Sequence, residues 1–580
     1  MKLITNIIIT IFIIASSVGY SQQQAKPQNN EKATTYCNPL DLNYRYYTRK
    51  NKKGANTYRE AADPVVVIYQ GEYYLFSSKT LGYWHSTDLA YWYFIPCTSS
   101  QLPGIDKWAP TIMVYKGKMY FKQSCHQKGM YVTTNPKDPN AWSLVPGSDK
   151  DHLNHDASLF FDSEDGKIWY SYGCSPNKPI YVQQVDGATM LKKGPVYEVC
   201  YQNAHDHGWE ARGGRYLEGS QILKHKGIWY VIFAGYTLDA TYADGVYTAN
   251  TPTGSYTYAE YSPVSNKETG FAIGAGHGHF FQDLYNNWWK ATCSSIGVLD
   301  HFERRINLFP AGIDSEGQMY ANTTLTDYPI TIPTGPRNHR DSNLKGWMLL
   351  SRGRKASASS AELKHSTALA FDENIKTWWS AASGNKGEWL KVDLGIPCTI
   401  NAIQVNFAEH KAGKYDPSKA KIQYRIEFST NNSQWNIMVD KWEGTEDRHH
   451  DYTELLQPVK ARYIRLTNRT MPYNGHFAVR DLRIFGNAGG NAPSAVGDFS
   501  VKRLADTRKA DLSWKAVSDA EGYVIRYGIA ADKLDQNYQL YKTSARIVTL
   551  NKGIPYYFRI DSFNRNGYTK GSSVKSFATP

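Results

Sequence analysis

The chain has 580 residues, a formal net charge of +13, 41% hydrophobic and 21% charged residues, and is rich in Tyr (43) and Trp (16). That composition excludes a disordered chain, and the length predicts three to four domains. High aromatic content with 45 glycines points to strands and to side chains suited to stacking on sugar rings.

The N-terminus carries Lys2, an apolar run from Ile4 to Ala15 and small residues through Gly19 and Ser21. This predicts a signal peptide over 1–21, cut near Ser21–Gln22, and an exported protein, periplasmic or secreted, with no membrane span. The seven cysteines are scattered and contain no CxxC pair, which argues against a zinc site and leaves any disulfide pairing open. The basic charge forms no long Lys/Arg block and no nucleic-acid motif, so we expect a solvated basic surface and no nucleic-acid partner.

From residue 35 to 332 one pattern recurs. An apolar strand, a tight polar turn and an aromatic strand appear at Pro64 (PVVVIYQGEYYLFSS), Pro110 (PTIMVYKGKMYFKQS), Ala157 (ASLFFDSEDGKIWYSYG), Gly219 (GSQILKHKGIWYVIFAG) and Gly278 (GHFFQDLYNNWWKATCS). The copies recur about every 45 to 60 residues, the spacing of propeller blades. An all-β fold with a five-bladed β-propeller over 35–332 is the expectation.

The residue just before each hairpin is Asp63, Ala109, Asp156, Glu218 and His277. In a propeller such positions converge on one mouth of the axial channel. Three converging carboxyls push at least one pKa upward, which yields a protonated acid beside an ionised base. That is the equipment for glycoside hydrolysis. A non-catalytic glycan-binding propeller is the competing expectation, and it has no need to concentrate negative charge against a neutral sugar.

These residues resemble glycoside hydrolase family 43: Asp63-Pro with its YYLFSS hairpin, Trp108-Ala-Pro, His155-Asp156-Ala, and Glu218-Gly occur in that family's order. The resemblance implies a five-bladed propeller and inversion at the anomeric carbon. It implies Asp63 as general base, Glu218 as general acid and Asp156 as the group tuning and holding the acid. It further implies sugar contacts from Trp108, His155, Arg305 (with Arg304 as rival) and His277. The implied substrate is a plant-type polysaccharide or oligosaccharide with arabinofuranosyl or xylosyl linkages; arabinan or galactan remains an alternative. No cofactor serves the chemistry, because water is the nucleophile, and the protein is expected to be a monomer.

Two stretches read as linkers, Pro333–Lys345 and Gly486–Gly497. Between them, 346–487 alternates apolar runs and turns as a β-sandwich does. It resembles discoidin or factor 5/8 type C modules, including family-32 carbohydrate-binding modules, through FDENIKTWWS, WLKVDLG, RIEFSTNNSQW and RYIRLT. That resemblance implies a structural calcium ion at Asp372, Asn374, Thr377 and Asp481. The last segment, 493–580, resembles fibronectin type III, with Tyr556 as its tyrosine corner.

Overall fold

The computed structural model describes residues 34–577 apart from 52–53, 125–128, 151–154, 212–215, 236–237 and 341–342. The expected signal peptide lies outside the described residues. Among those residues the regular structure is strand, broken only by short 3-10 turns, so the all-β expectation holds. Among the described residues no helix is long and apolar enough to cross a membrane.

Each hairpin copy becomes the first two strands of a four-stranded antiparallel sheet. The five first strands are Ala62–Tyr69, Pro110–Tyr115, Ser158–Asp162, Leu217–His225 and His279–Gln282. Several of the connecting turns place two consecutive residues in the left-handed region: Gln70–Gly71, Lys116–Gly117 and Lys226–Gly227. This is the turn whose twist matches a hairpin, and Gly at its second position removes the steric cost. The first four of these strands lie beside one another in sequence order, and the fifth lies beside the first. The side chain of Gln221 links the fourth to the fifth, donating to Phe280 O at 2.8 Å and accepting from Phe280 N at 2.7 Å. Strand Thr35–Tyr36 pairs with Ile330–Thr331, which ties the start of this block to its end.

The middle block forms one curled eight-stranded sheet. Its long strands, Trp389–Phe407 and His450–Thr470, bend at bulges and so fold the sheet over a core that includes Trp379, Leu390, Phe407, Leu466 and Phe477. The C-terminal block packs a three-stranded sheet on a five-stranded one around Trp514, Tyr523, Ile525 and Phe558.

The first expected linker is held by partners rather than free, whereas the second runs strandless and mostly exposed from Ala488 to Asp498 and is structured only at its start. His339 is buried, its Nδ1 at 2.9 Å from Trp288 O and its ring against Trp289. Arg340 pairs with Asp314 and Asp535 and lies over the Tyr320 ring. Gly486 sits inside strand Ala478–Asn487, where a Cβ would lie 1.9 Å from Thr399 O. Polar composition predicted solvent; these polar groups instead find partners across the domain boundaries.

Those boundaries are crossed by buried charge. Arg59 donates to Glu409 at 2.5 Å and to Asp447 at 2.8 Å. Arg480 pairs with Glu303 at 3.0 Å. Arg483 holds Glu373 and also donates to Asp327 O. The C-terminal block meets the first through Gly208 N to Leu550 O at 3.0 Å and Asn551 Nδ2 to Ser262 O at 2.9 Å.

Candidate active site

The entry to each first strand carries a residue with positive φ: Asp63 (52°), Ala109 (42°), Asp156 (52°), Gly219 (60°) and His277 (46°). The left-handed conformation of non-glycine residues costs about 1–3 kcal/mol and persists only where surroundings impose it. Here they do. Asp63 N donates to Cys293 Sγ at 3.1 Å. The carboxylate of Asp244 accepts from His277 N at 2.8 Å and Gly278 N at 3.2 Å. Asp244 is itself buried against Lys290.

Glu218 departs from the expected register. The left-handed residue of the fourth copy is Gly219, so Glu218 lies one position earlier than Asp63 and Asp156 do in theirs. A bulge spans Glu218 to Gln221, as one spans Ala62 to Val65, and it makes Glu218 the counterpart of Ala62. Close packing explains the glycine: a Cβ on Gly219 would lie 2.6 Å from His277 Cγ.

The geometry brings Asp63, Asp156, Glu218 and His277 together. Asp63 is buried, and its carboxylate is fully engaged. Oδ2 accepts from Ser78 Oγ at 2.5 Å, and Oδ1 accepts from Arg304 at 2.8 Å. His277 Nδ1 lies 3.2 Å from Oδ1, with Cys293 Sγ at 3.6 Å. Burial pushes the carboxyl up, but Arg304, His277 and the Ser78 hydroxyl outweigh it and hold Asp63 below the usual carboxylate range. Ser78 Oγ also accepts from Ala109 N at 2.6 Å, so the first and second sheets position this carboxylate jointly.

Glu218 is half-buried, and its Oε1 accepts from the buried Tyr242 hydroxyl. Burial, then the charge of Asp156, raises its pKa; Asp63 adds to the rise, while His277 and Tyr242 oppose it. Asp156, buried, is within reach: one carboxyl oxygen of each and Cys174 Sγ lie within 4.8 Å of one another. Ser124 Oγ donates to Asp156 Oδ1 at 3.4 Å. Burial lowers the pKa of His277, but Asp63, Asp156 and Glu218 together raise it above the ordinary value. The result is two carboxyls of opposite tendency in one cleft, one held ionised and one biased toward its protonated form.

Arg305 is not in this group. It is fully buried and turned the other way, donating to His450 Nε2 at 2.9 Å and Arg59 O at 2.7 Å. Side chains alternate along the strand Arg304–Ile313, so if one arginine faces Asp63 its neighbour must face the middle block. Arg304 therefore takes the place expected of Arg305. Half-buried Trp108 has its ring 5.1 Å from Phe302 with Lys79 Nζ 4.4 Å away over the ring, and Phe302 in turn lies under Arg304. His155 is exposed, directly before Asp156, its carbonyl accepting from Gly173 N. Tyr242, Ser78, Cys174 and Cys293 also border the carboxylates; no repeat position marks them in the sequence. The six described cysteines are thiols, not disulfides.

The residues expected to hold calcium lie in the middle block, on a turn wedged beside the first. Asp372 accepts from Asn374 N at 3.0 Å and from Thr377 Oγ1 at 2.8 Å, and buried Asp481 accepts from Glu373 N at 2.9 Å. Burial pushes up the carboxyls of both Asp372 and Asp481. The donors these residues offer are oxygens, the ligand type calcium takes, while Arg352 lies near Asp372 and Arg483 near Asp481. Of the two tryptophans, Trp379 is core, while Trp378 stacks on His365 with centroids 4.7 Å apart.

Residues 58–298 match the family model for glycosyl hydrolases family 43, and residues 355–481 match the F5/8 type C domain. A beta-xylosidase of Formosa agariphila is 21% identical over 472 residues, covering 70% of this chain and 77% of that protein. Among solved structures, one described as a glycoside hydrolase aligns with 19% identity and a TM-score of 0.45, covering 73% of this chain and 97% of that one. An endo-1,4-beta-xylanase from Bacteroides thetaiotaomicron aligns with 22% identity and a TM-score of 0.39, covering 46% and 96%. The chain thus carries a family 43 glycosyl hydrolase domain followed by an F5/8 type C domain.

Proposed function

We propose that the protein is an inverting glycosidase in which Asp63 is the general base and Glu218 the general acid. That it is a glycoside hydrolase follows from its family 43 domain; the stereochemistry and the roles are our own assignment. The observation that carries them is the opposite perturbation of two carboxyls in one cleft. Asp63, held ionised by Arg304, takes a proton from a water molecule as that water attacks the anomeric carbon. Glu218 gives its proton to the departing glycosidic oxygen from the other side of the sugar. Asp156 keeps that proton on Glu218 until the bond breaks, since a second negative charge beside it is unfavourable. His277 and Arg304 offer donors to sugar hydroxyls, and Trp108 offers a partly open ring face.

The five sheets are, in this account, the blades of a five-bladed propeller with the carboxyls at one mouth. The C-terminal block is a fibronectin type III spacer; Asn551 N donating to the Tyr556 hydroxyl at 3.0 Å is the contact expected of a tyrosine corner. The middle block binds glycan, with calcium bracing the 372–377 turn. The substrate is a xylosyl or arabinofuranosyl linkage of a plant-type glycan, and the name of the Formosa agariphila relative supports testing xylosides first. The experiment is a panel of aryl β-xylosides, α-L-arabinofuranosides and galactosides assayed with wild type, Asp63→Asn and Glu218→Gln. Turnover of a pentoside that Asp63→Asn abolishes supports the assignment. Wild-type-like activity in Asp63→Asn removes it.

A further inference from the structure

At the start of strand Leu217–His225, the third and fourth sheets are joined by a short antiparallel bridge. Ser175 N donates to Leu217 O at 3.0 Å, and Leu217 N donates to Ser175 O at 3.1 Å. The residues flanking this bridge are Cys174 and Glu218. The bridge therefore sets the two residues opposite one another, with Cys174 Sγ 3.8 Å from Glu218 Oε2. Asp156 completes the group, and the three ligand atoms lie within 4.8 Å of one another. Cys174 and Glu218 are only half-buried, so the group opens to solvent through the cleft.

Hydrolysis by water has no use for a thiol. Two carboxylates and a thiolate around one point are a donor set for borderline and soft divalent cations. Magnesium and calcium, which take oxygen ligands, gain little from the sulfur.

We propose that Asp156, Cys174 and Glu218 form a binding site for a thiophilic divalent cation, zinc or cadmium in class, whose occupation reversibly shuts the active site. Coordination exchanges the S–H bond of Cys174 and the O–H bond of protonated Glu218 for bonds to the cation, and both protons leave to solvent; no oxidation state changes. A coordinated Glu218 has no proton for the leaving oxygen, and the ion stands where the glycosidic oxygen would. Inhibition is then competitive with substrate. Only the inhibition, not the binding, rests on Glu218 being the acid.

The test titrates the full chain with CdCl2, ZnCl2 and MgCl2, and compares wild type with Cys174→Ser and Cys174→Ala, each scaled to its own uninhibited rate. Binding is read independently of turnover from the cadmium–thiolate charge-transfer absorption, as the difference between wild type and variant, which cancels the other thiols. We expect that band in the wild-type-minus-variant difference spectrum, cadmium stronger than zinc, magnesium without effect, and at least a tenfold weaker inhibition by cadmium in both variants. Absence of the band from the difference spectrum overturns the site, as does equal inhibition of wild type and both variants. A band with undiminished turnover keeps the cation site and overturns instead the acid role of Glu218.

Discussion

Replacing Arg304 by Met tests the cause of Asp63's ionisation. The Arg304 guanidinium donates to Asp63 Oδ1 at 2.8 Å, and Asp63 is 4% exposed. Two charges about 4 Å apart at an effective dielectric of ~20 interact by about 4 kcal/mol, or about 3 pK units. His277 and Ser78 remain in the variant, so we expect a rise of about 1–3 units, the range seen for aspartate beside arginine. The sign follows from the role. A base works only when ionised, so turnover falls as pH drops through the Asp63 pKa; raising that pKa moves the acidic limb of kcat/KM to higher pH. The assay is a pH profile on an aryl glycoside with a good leaving group, which spares the acid. Arg304→Lys, which keeps the charge, should move the limb less, and Arg305→Met should not move it, since Arg305 faces the middle block. An unmoved limb in Arg304→Met refutes Asp63 as the base held ionised by this arginine.

Glu218→Gln should lose most activity on natural linkages and least on activated aryl glycosides; equal losses on both would contradict an acid role. Tyr242→Phe removes a donor to Glu218 Oε1, which favours the ionised carboxyl, so the alkaline limb should move up by as much as about 1 unit. Glu409→Gln leaves buried Arg59 with Asp447 as its remaining carboxylate; we expect a loss near the lower end of about 3–5 kcal/mol in denaturant unfolding, with kcat little changed in the folded fraction. Deleting 346–580 removes both partners of Arg59 and uncovers Phe271 and Ile296, which pack against Ile375 in the full chain, so the truncated protein should be insoluble or markedly less heat-stable. A truncation that melts like wild type would contradict that.

The hairpins were legible because their signals are local: alternation, a turn with Gly, and a fixed entry residue. The acids were legible for the same reason, since Asp63 and Asp156 share one backbone conformation with Ala109 and His277. Glu218 was placed one residue out of register, because the left-handed position held by Asp63 in the first copy is held by Gly219 in the fourth, and sequence does not show which residue takes that conformation. Arg304 and Arg305 are equivalent in composition; only the face of the strand separates them. Tyr242 reaches Glu218 from just before the third strand of its sheet, Ala243–Ala249, at a position unmarked by any repeat. The polar stretch 333–345 read as a linker because sequence shows that a group is polar, not whether a partner waits across a boundary.

The most direct test of the account is proton NMR of the first sugar released from an aryl pentoside before mutarotation. A base that acts through water delivers the oxygen to the face opposite the leaving group, so the account predicts the inverted anomer. Release of the retained anomer would mean that a carboxylate attacks the sugar itself, and would contradict the roles assigned to Asp63 and Glu218.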